Sequence, residues 1–149
     1  EESAAVYREV GPKDDLGLAL VCRAIAARGL GDTAGARQHL CHGLEIAHEC
    51  KVAWPVIWAL PAMALLLAGE GEYERAVELY ALAARYPFVV QSRWFADVAG
   101  DTLAEVAATL PAERVAILQE RGRARDLEAS ALEVLARLTG APPLDEART

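Results

Sequence analysis

The densest set of side chains able to do chemistry lies in Gln38-His39-Leu40-Cys41-His42-Gly43-Leu44-Glu45-Ile46-Ala47-His48-Glu49-Cys50, which holds all three histidines and two of the three cysteines. Imidazole and thiolate groups close in sequence suggest a zinc site. Helical geometry argues against it. At about 100° per residue, His39 and His42 stand within roughly 60° of each other and can share an ion. Cys41 and His48 point to another side. Cys50 lies three turns from His39, about 16 Å along the axis. No four of these groups converge on a tetrahedral ion without help from a second helix, and no CxxC knuckle occurs. They read as incidental polar and half-buried positions. Neither a metal nor any other cofactor is expected.

Other chemistries are weaker still. Gly29-Leu30-Gly31 and Gly69-Glu70-Gly71 do not complete a GxGxxG, do not follow strands, and no Gly-Lys-Ser/Thr occurs. Glycine is expected at helix ends, which is where both sit. Ser3, Ser92 and Ser130 lie in no nucleophile elbow and near no histidine in sequence. The carboxylates Asp14-Asp15 and Glu70/Glu72 fall at helix starts or turns, where the helix dipole and solvent account for them. No catalytic residue is assigned, and the chain is not read as an enzyme.

The elements that carry these residues are helices. The chain has 149 residues, 54% apolar and 25% charged, and alanine makes up about a fifth of it. Alanine favours helix, and valine, isoleucine and threonine, which favour strands, are sparse. A net charge of −7 argues against a surface that neutralises nucleic-acid phosphates. The one cationic run, Arg121-Gly122-Arg123-Ala124-Arg125, reads as a helix end or a partner for the acidic surface. Val52 to Gly69 carries no charge, but Pro55 and Pro61 interrupt it and much of it is alanine. It reads as a buried core helix, not a membrane span. Three cysteines without a signal peptide point to a reducing cytoplasm. The helix-like Ala4–Val10 right at the start, with no Met, suggests a segment of a longer polypeptide.

Gly and Pro divide the rest into helices beginning near Asp14 or Asp15, Asp32-Thr33, Ala53, Tyr73, Ser92, Pro111 and Asp126. The tail from Thr139 reads as flexible. The fourth helix is expected to stop before Pro87. Shifted by forty residues, the chain matches itself. Leu18 falls on Trp58, Ala24 on Ala64, Gly29 on Gly69, Gly31 on Gly71, Ala36 on Ala76 and Leu40 on Tyr80. No third copy is detectable at that offset. The expected domain is residues 1–138, with repeats at about 14–50 and 53–87 and a divergent C-terminal cap at 92–138.

Ala64 through Pro87 resembles a tetratricopeptide repeat. Gly71-Glu72-Tyr73-Glu74-Arg75-Ala76 matches that family's inter-helix turn, and Ala76, Tyr80 and Ala83 match its small–aromatic–small pattern. Pro87 is about one residue early for the closing proline. In the first copy Ala24, Gly31, Ala36 and Leu40 fit, but Gly43 replaces an expected alanine. Leu20 and Leu60 stand where the early tryptophan is usual. A period of forty is similar to the helical-repeat regions at the C-terminus of large bacterial signalling ATPases and of LuxR-type or maltose-activator-type transcription regulators. Tyr7-Arg8-Glu9-Val10-Gly11 with Gly17-Leu18-Ala19-Leu20 resembles a junction between such repeats. Glu120-Arg121-Gly122-Arg123-Ala124 with Leu127-Glu128 resembles the ending after the last one.

This resemblance implies an all-α, right-handed superhelical stack of antiparallel helix pairs. It also implies a concave groove formed by the first helix of each pair. The groove positions carried over are Leu18, Val21, Ile25 and Arg28, then Trp58, Pro61, Leu65 and Ala68. The alternative is that the same residues are core. The implied role is a scaffold or sensor in signalling or transcription regulation that binds a protein or peptide partner, or a small-molecule inducer. It would make no direct nucleic-acid or membrane contact. Self-association as a homodimer is the second reading. A second aromatic set, Trp54, Trp58, Trp94, Phe95, Tyr73 and Tyr80, suits flat ligands but is read first as core.

Overall fold

A computed structural model describes residues 13–140. The helical piece expected at Ala4–Val10 and the tail beyond Gly140 lie outside them. Among the described residues every regular element is a helix: α1 Lys13–Gly29, α2 Thr33–Cys50, α3 Ala53–Gly69, α4 Tyr73–Ala83, α5 Pro87–Gln91, α6 Arg93–Phe95, a π-helical stretch Ala96–Gly100, α7 Asp101–Ala108, α8 Ala112–Ala124 and α9 Leu127–Thr139. None is long and apolar enough to cross a membrane.

Three of the starts expected from side chains that can cap are realised; the one expected at Asp14 or Asp15 is not, because both residues lie within α1, which already includes Lys13. Asp32 accepts the Gly35 N–H at 2.8 Å, Ser92 the Phe95 N–H at 3.4 Å, and Asp126 the Ala129 N–H at 2.8 Å. Each satisfies an amide that the first turn leaves without a helical partner. Pro87 does more than stop a helix. It opens α5, because its fixed φ suits a first helical position, and Tyr86 before it is extended (φ −94°, ψ 118°).

The first two helix-to-helix turns are copies. Gly31 and Gly71 both adopt the left-handed conformation, at φ 81° and 82°. The Asp32 N–H donates to the Ala27 carbonyl and the Glu72 N–H to the Leu67 carbonyl, each at 2.9 Å, forty residues apart in donor and acceptor. A side chain at either glycine would strain the backbone. Helix starts continue this spacing beyond what residue identities reveal. α3 and α6 begin at 53 and 93, α2 and α4 at 33 and 73, and α8 follows thirty-nine residues later at 112. The third turn is hidden from a glycine search because Thr109-Leu110-Pro111 makes it, with Pro111 at φ −57°.

The described residues form two compact units, one comprising residues up to Val56 with Asp126 onward, the other Ile57–Arg125. In the first, α1 and α2 pack as an antiparallel hairpin. They cross at Gly17 and Gly43. A Cβ on Gly43 would come 2.9 Å from the Gly17 carbonyl oxygen and 3.1 Å from Val21 Cγ2, so alanine is too large there. Leu16, Leu20 and Ile46 form the core of this crossing, with Cys50 against it. α9 packs on α2.

In the second unit α4 and α8 run parallel, in register at the same forty residues. Near their N-terminal ends Arg114 donates to both Glu74 oxygens at 2.7 Å. Past their C-terminal ends Arg85 Nη1 donates to the Arg125 carbonyl at 2.8 Å. Between these, the buried Glu78 carboxylate meets Arg125 at 2.7 Å and Arg121 at 3.6 Å. Gly122 faces the Glu78 backbone, and a Cβ there would fall on its carbonyl oxygen and come within 2.8 Å of Ala81 Cβ.

The Glu74–Arg114 pair sets a pH dependence. Hydrogen bonds from Arg114 hold the Glu74 carboxyl below the usual carboxylate range. A depressed folded-state value contributes stability above the unfolded-state pKa and loses it as pH falls through the folded one. A ¹³C titration should therefore place Glu74 below an exposed, unpaired glutamate, and Arg114→Gln should return it to the ordinary range. Added salt should shrink the difference, because the pair is open to solvent.

Candidate functional site

The structure places the eight groove candidates as follows. Val21, Ile25, Pro61 and Leu65 are buried, Val21 and Leu65 at 0% and 1% exposure. Leu18, Arg28, Trp58 and Ala68 are half-buried. An open groove needs accessible side chains, so the first four are corrected to core.

Trp58 belongs to a ring cluster. Its ring centroid lies 5.0 Å from Phe95, edge-on, 5.6 Å from Trp94 and 6.4 Å from Phe88. Phe88 and Tyr86, which the sequence did not single out, join it. Trp94 itself is exposed; of the other expected members, Trp54 and Tyr73 are exposed too, so these three are not core, and Tyr80 lies beside Gly100.

The histidine- and cysteine-bearing segment forms α2. Among the described residues no three His, Cys, Asp or Glu groups are placed to hold a metal ion. Burial, and then Arg23, lowers the His39 pKa, leaving it neutral at pH 7. Burial raises the thiol pKa of Cys22. Burial and then Glu45 raise that of Cys41, whose Sγ lies 3.6 Å from Glu45 Oε1. Both remain thiols at neutral pH, whereas the thiolate is the nucleophile and the metal ligand.

The feature that fits a ligand is a cleft of about 580 Å³ between the C-terminal half of α2, the start of α3 and α9. Leu44, Ala47 and Val56 form a buried floor. Leu127, Ala131 and Leu135 form the opposite wall. Their i, i+4, i+8 spacing puts them on one face of α9. The rim is polar: Lys51 with His48 on one side, Asp126 and Glu128 on the other, all exposed. An apolar interior of this size with a few polar groups at its edge matches small-molecule and peptide sites. This apolar row of α9 and its docking on α2 were not singled out in the sequence.

Lys51 is the one non-glycine residue at positive φ among those described, at φ 56° and ψ 42°. It ends α2 in the left-handed conformation, its N–H reaching the Ala47 and His48 carbonyls. Lys51→Gly should relieve that strain and raise stability by up to about 1 kcal/mol in urea unfolding. A fall in stability would show that the lysine side chain stabilises the turn.

No family model, curated protein or solved structure matches this chain.

Proposed function

We propose that this chain is a non-catalytic helical-repeat recognition module. It would be a right-handed, tetratricopeptide-like stack of helix pairs from a larger cytoplasmic bacterial regulator, and it would bind an apolar inducer or partner segment. The parent regulator is proposed on the resemblance of the repeats. The forty-residue spacing of helix starts, the duplicated turns and the register of α4 on α8 support the repeat reading. The observation that carries recognition is the cleft between α2 and α9, with its apolar floor and polar rim. It replaces the groove expected from the resemblance.

Nile red, a neutral apolar dye, tests the cleft. It should bind saturably with a blue-shifted emission. Ala131→Phe, which fills the cleft from the partly exposed face of α9, should weaken binding by about tenfold or more with little change in helix content. Absence of saturable uptake, or equal uptake by the filled variant, would remove the cleft as the recognition surface.

A further inference from the structure

A second, smaller cleft of about 200 Å³ lies among α4, α7 and α8, within the Ile57–Arg125 unit, and none of the preceding roles uses it. Val77, Ala81, Leu103 and Ala107 make it apolar. Three polar side chains join that lining: the Tyr80 phenol, the Gln119 amide and the Arg123 guanidinium. Arg123 differs from the arginines near it in sequence. Arg114, Arg121 and Arg125 each have a carboxylate within 4.0 Å, whereas among the described residues Arg123 has none. It is an uncommitted cation on a chain of net charge −7.

The backbone beside the cleft is also irregular. The π-helical stretch Ala96–Gly100 ends at Gly100, where a Cβ would stand 3.0 Å from the Tyr80 hydroxyl. Inserted π turns re-aim side chains and recur at functional sites. Here the turn sets a residue without a side chain next to the phenol. Burial and then the neighbouring Asp101 raise the Tyr80 pKa, so the phenol keeps its proton and can donate.

From this arrangement we infer that the cleft binds a small monocarboxylate with a short hydrocarbon tail, its carboxylate on Arg123, Tyr80 and Gln119 and its tail against the alanine-lined wall. The space is too small for a partner helix. A single guanidinium with two neutral donors matches one negative charge. Asp101 near Tyr80 disfavours a dianion such as phosphate. This site stands apart from the α2/α9 cleft, and either assignment can fail alone.

Hexanoate is the probe, followed by amide and side-chain chemical shifts of the folded chain. Saturable shifts should centre on Tyr80, Gly100, Ala107, Gln119 and Arg123. Arg123→Gln should weaken binding about tenfold or more, and Arg123→Lys should restore part of it. Ala104→Leu, a substitution at an exposed cleft position, should abolish binding while leaving the helical spectrum in place. Hexylamine should not compete. The inference is overturned if hexanoate gives no saturable shifts, if Arg123→Gln binds equally, or if hexylamine or inorganic phosphate competes as strongly as hexanoate.

Discussion

Gly122→Ala should destabilise the protein by about 3 kcal/mol, lowering its melting temperature by roughly 10 °C. The added methyl would fall on the Glu78 carbonyl oxygen, which belongs to backbone and cannot rotate away. α4 and α8 must then separate, which loosens the Glu78 pairs to Arg121 and Arg125 and the Arg85 bond to the Arg125 carbonyl. The usual gain of about 1 kcal/mol for alanine over glycine in a helix offsets only part of this. Gly69→Ala is the matched control. It lies at the end of α3 with nothing within 4 Å of the new atom, and it should be neutral or slightly stabilising. Urea unfolding of the pair separates the two effects. Equal midpoints would mean that α4 and α8 do not approach at Gly122.

Phe95→Ala should cost about 3–5 kcal/mol. Phe95 is buried at 1% exposure, with the Trp94 ring at 4.8 Å, Trp58 at 5.0 Å and Phe88 at 6.2 Å. Removing it opens a cavity and deletes three ring contacts, each of which contributes about 0.5–1.5 kcal/mol beyond its area. The loss has its own optical readout, because two tryptophans sit on the ring. The emission of Trp58, which is half-buried, should shift to the red in the folded variant as water reaches it. Phe95→Leu, which keeps most of the volume, should lose a smaller part. A Phe95→Ala variant as stable as the parent, with unshifted emission, would show that the ring cluster is not a core.

Local chemistry made the helices legible. Asp32, Ser92 and Asp126 can cap, Gly31 and Gly71 can adopt positive φ, and the alanine-rich runs between them favour helix, so boundaries followed from each residue and its neighbours. The turn before α8, which starts thirty-nine residues after α4, stayed hidden because Pro111 makes it by different chemistry from the two glycines. Helix geometry also weakened the metal hypothesis in α2 by showing that its candidate ligands diverge.

Which apolar residues face one another was beyond any local rule. Val21 and Leu65 share the chemistry and spacing of groove residues, and only the packing of their helices makes them core. Leu127, Ala131 and Leu135 are an apolar row that any helix could cover. They became the wall of a cleft because α9 packs on α2, more than seventy residues earlier in the chain. The amino-acid order determined the helices, their period and their turns, because those depend on contacts within a few residues. The tertiary structure decided core against cleft, because that depends on which distant face fills the space beside each helix.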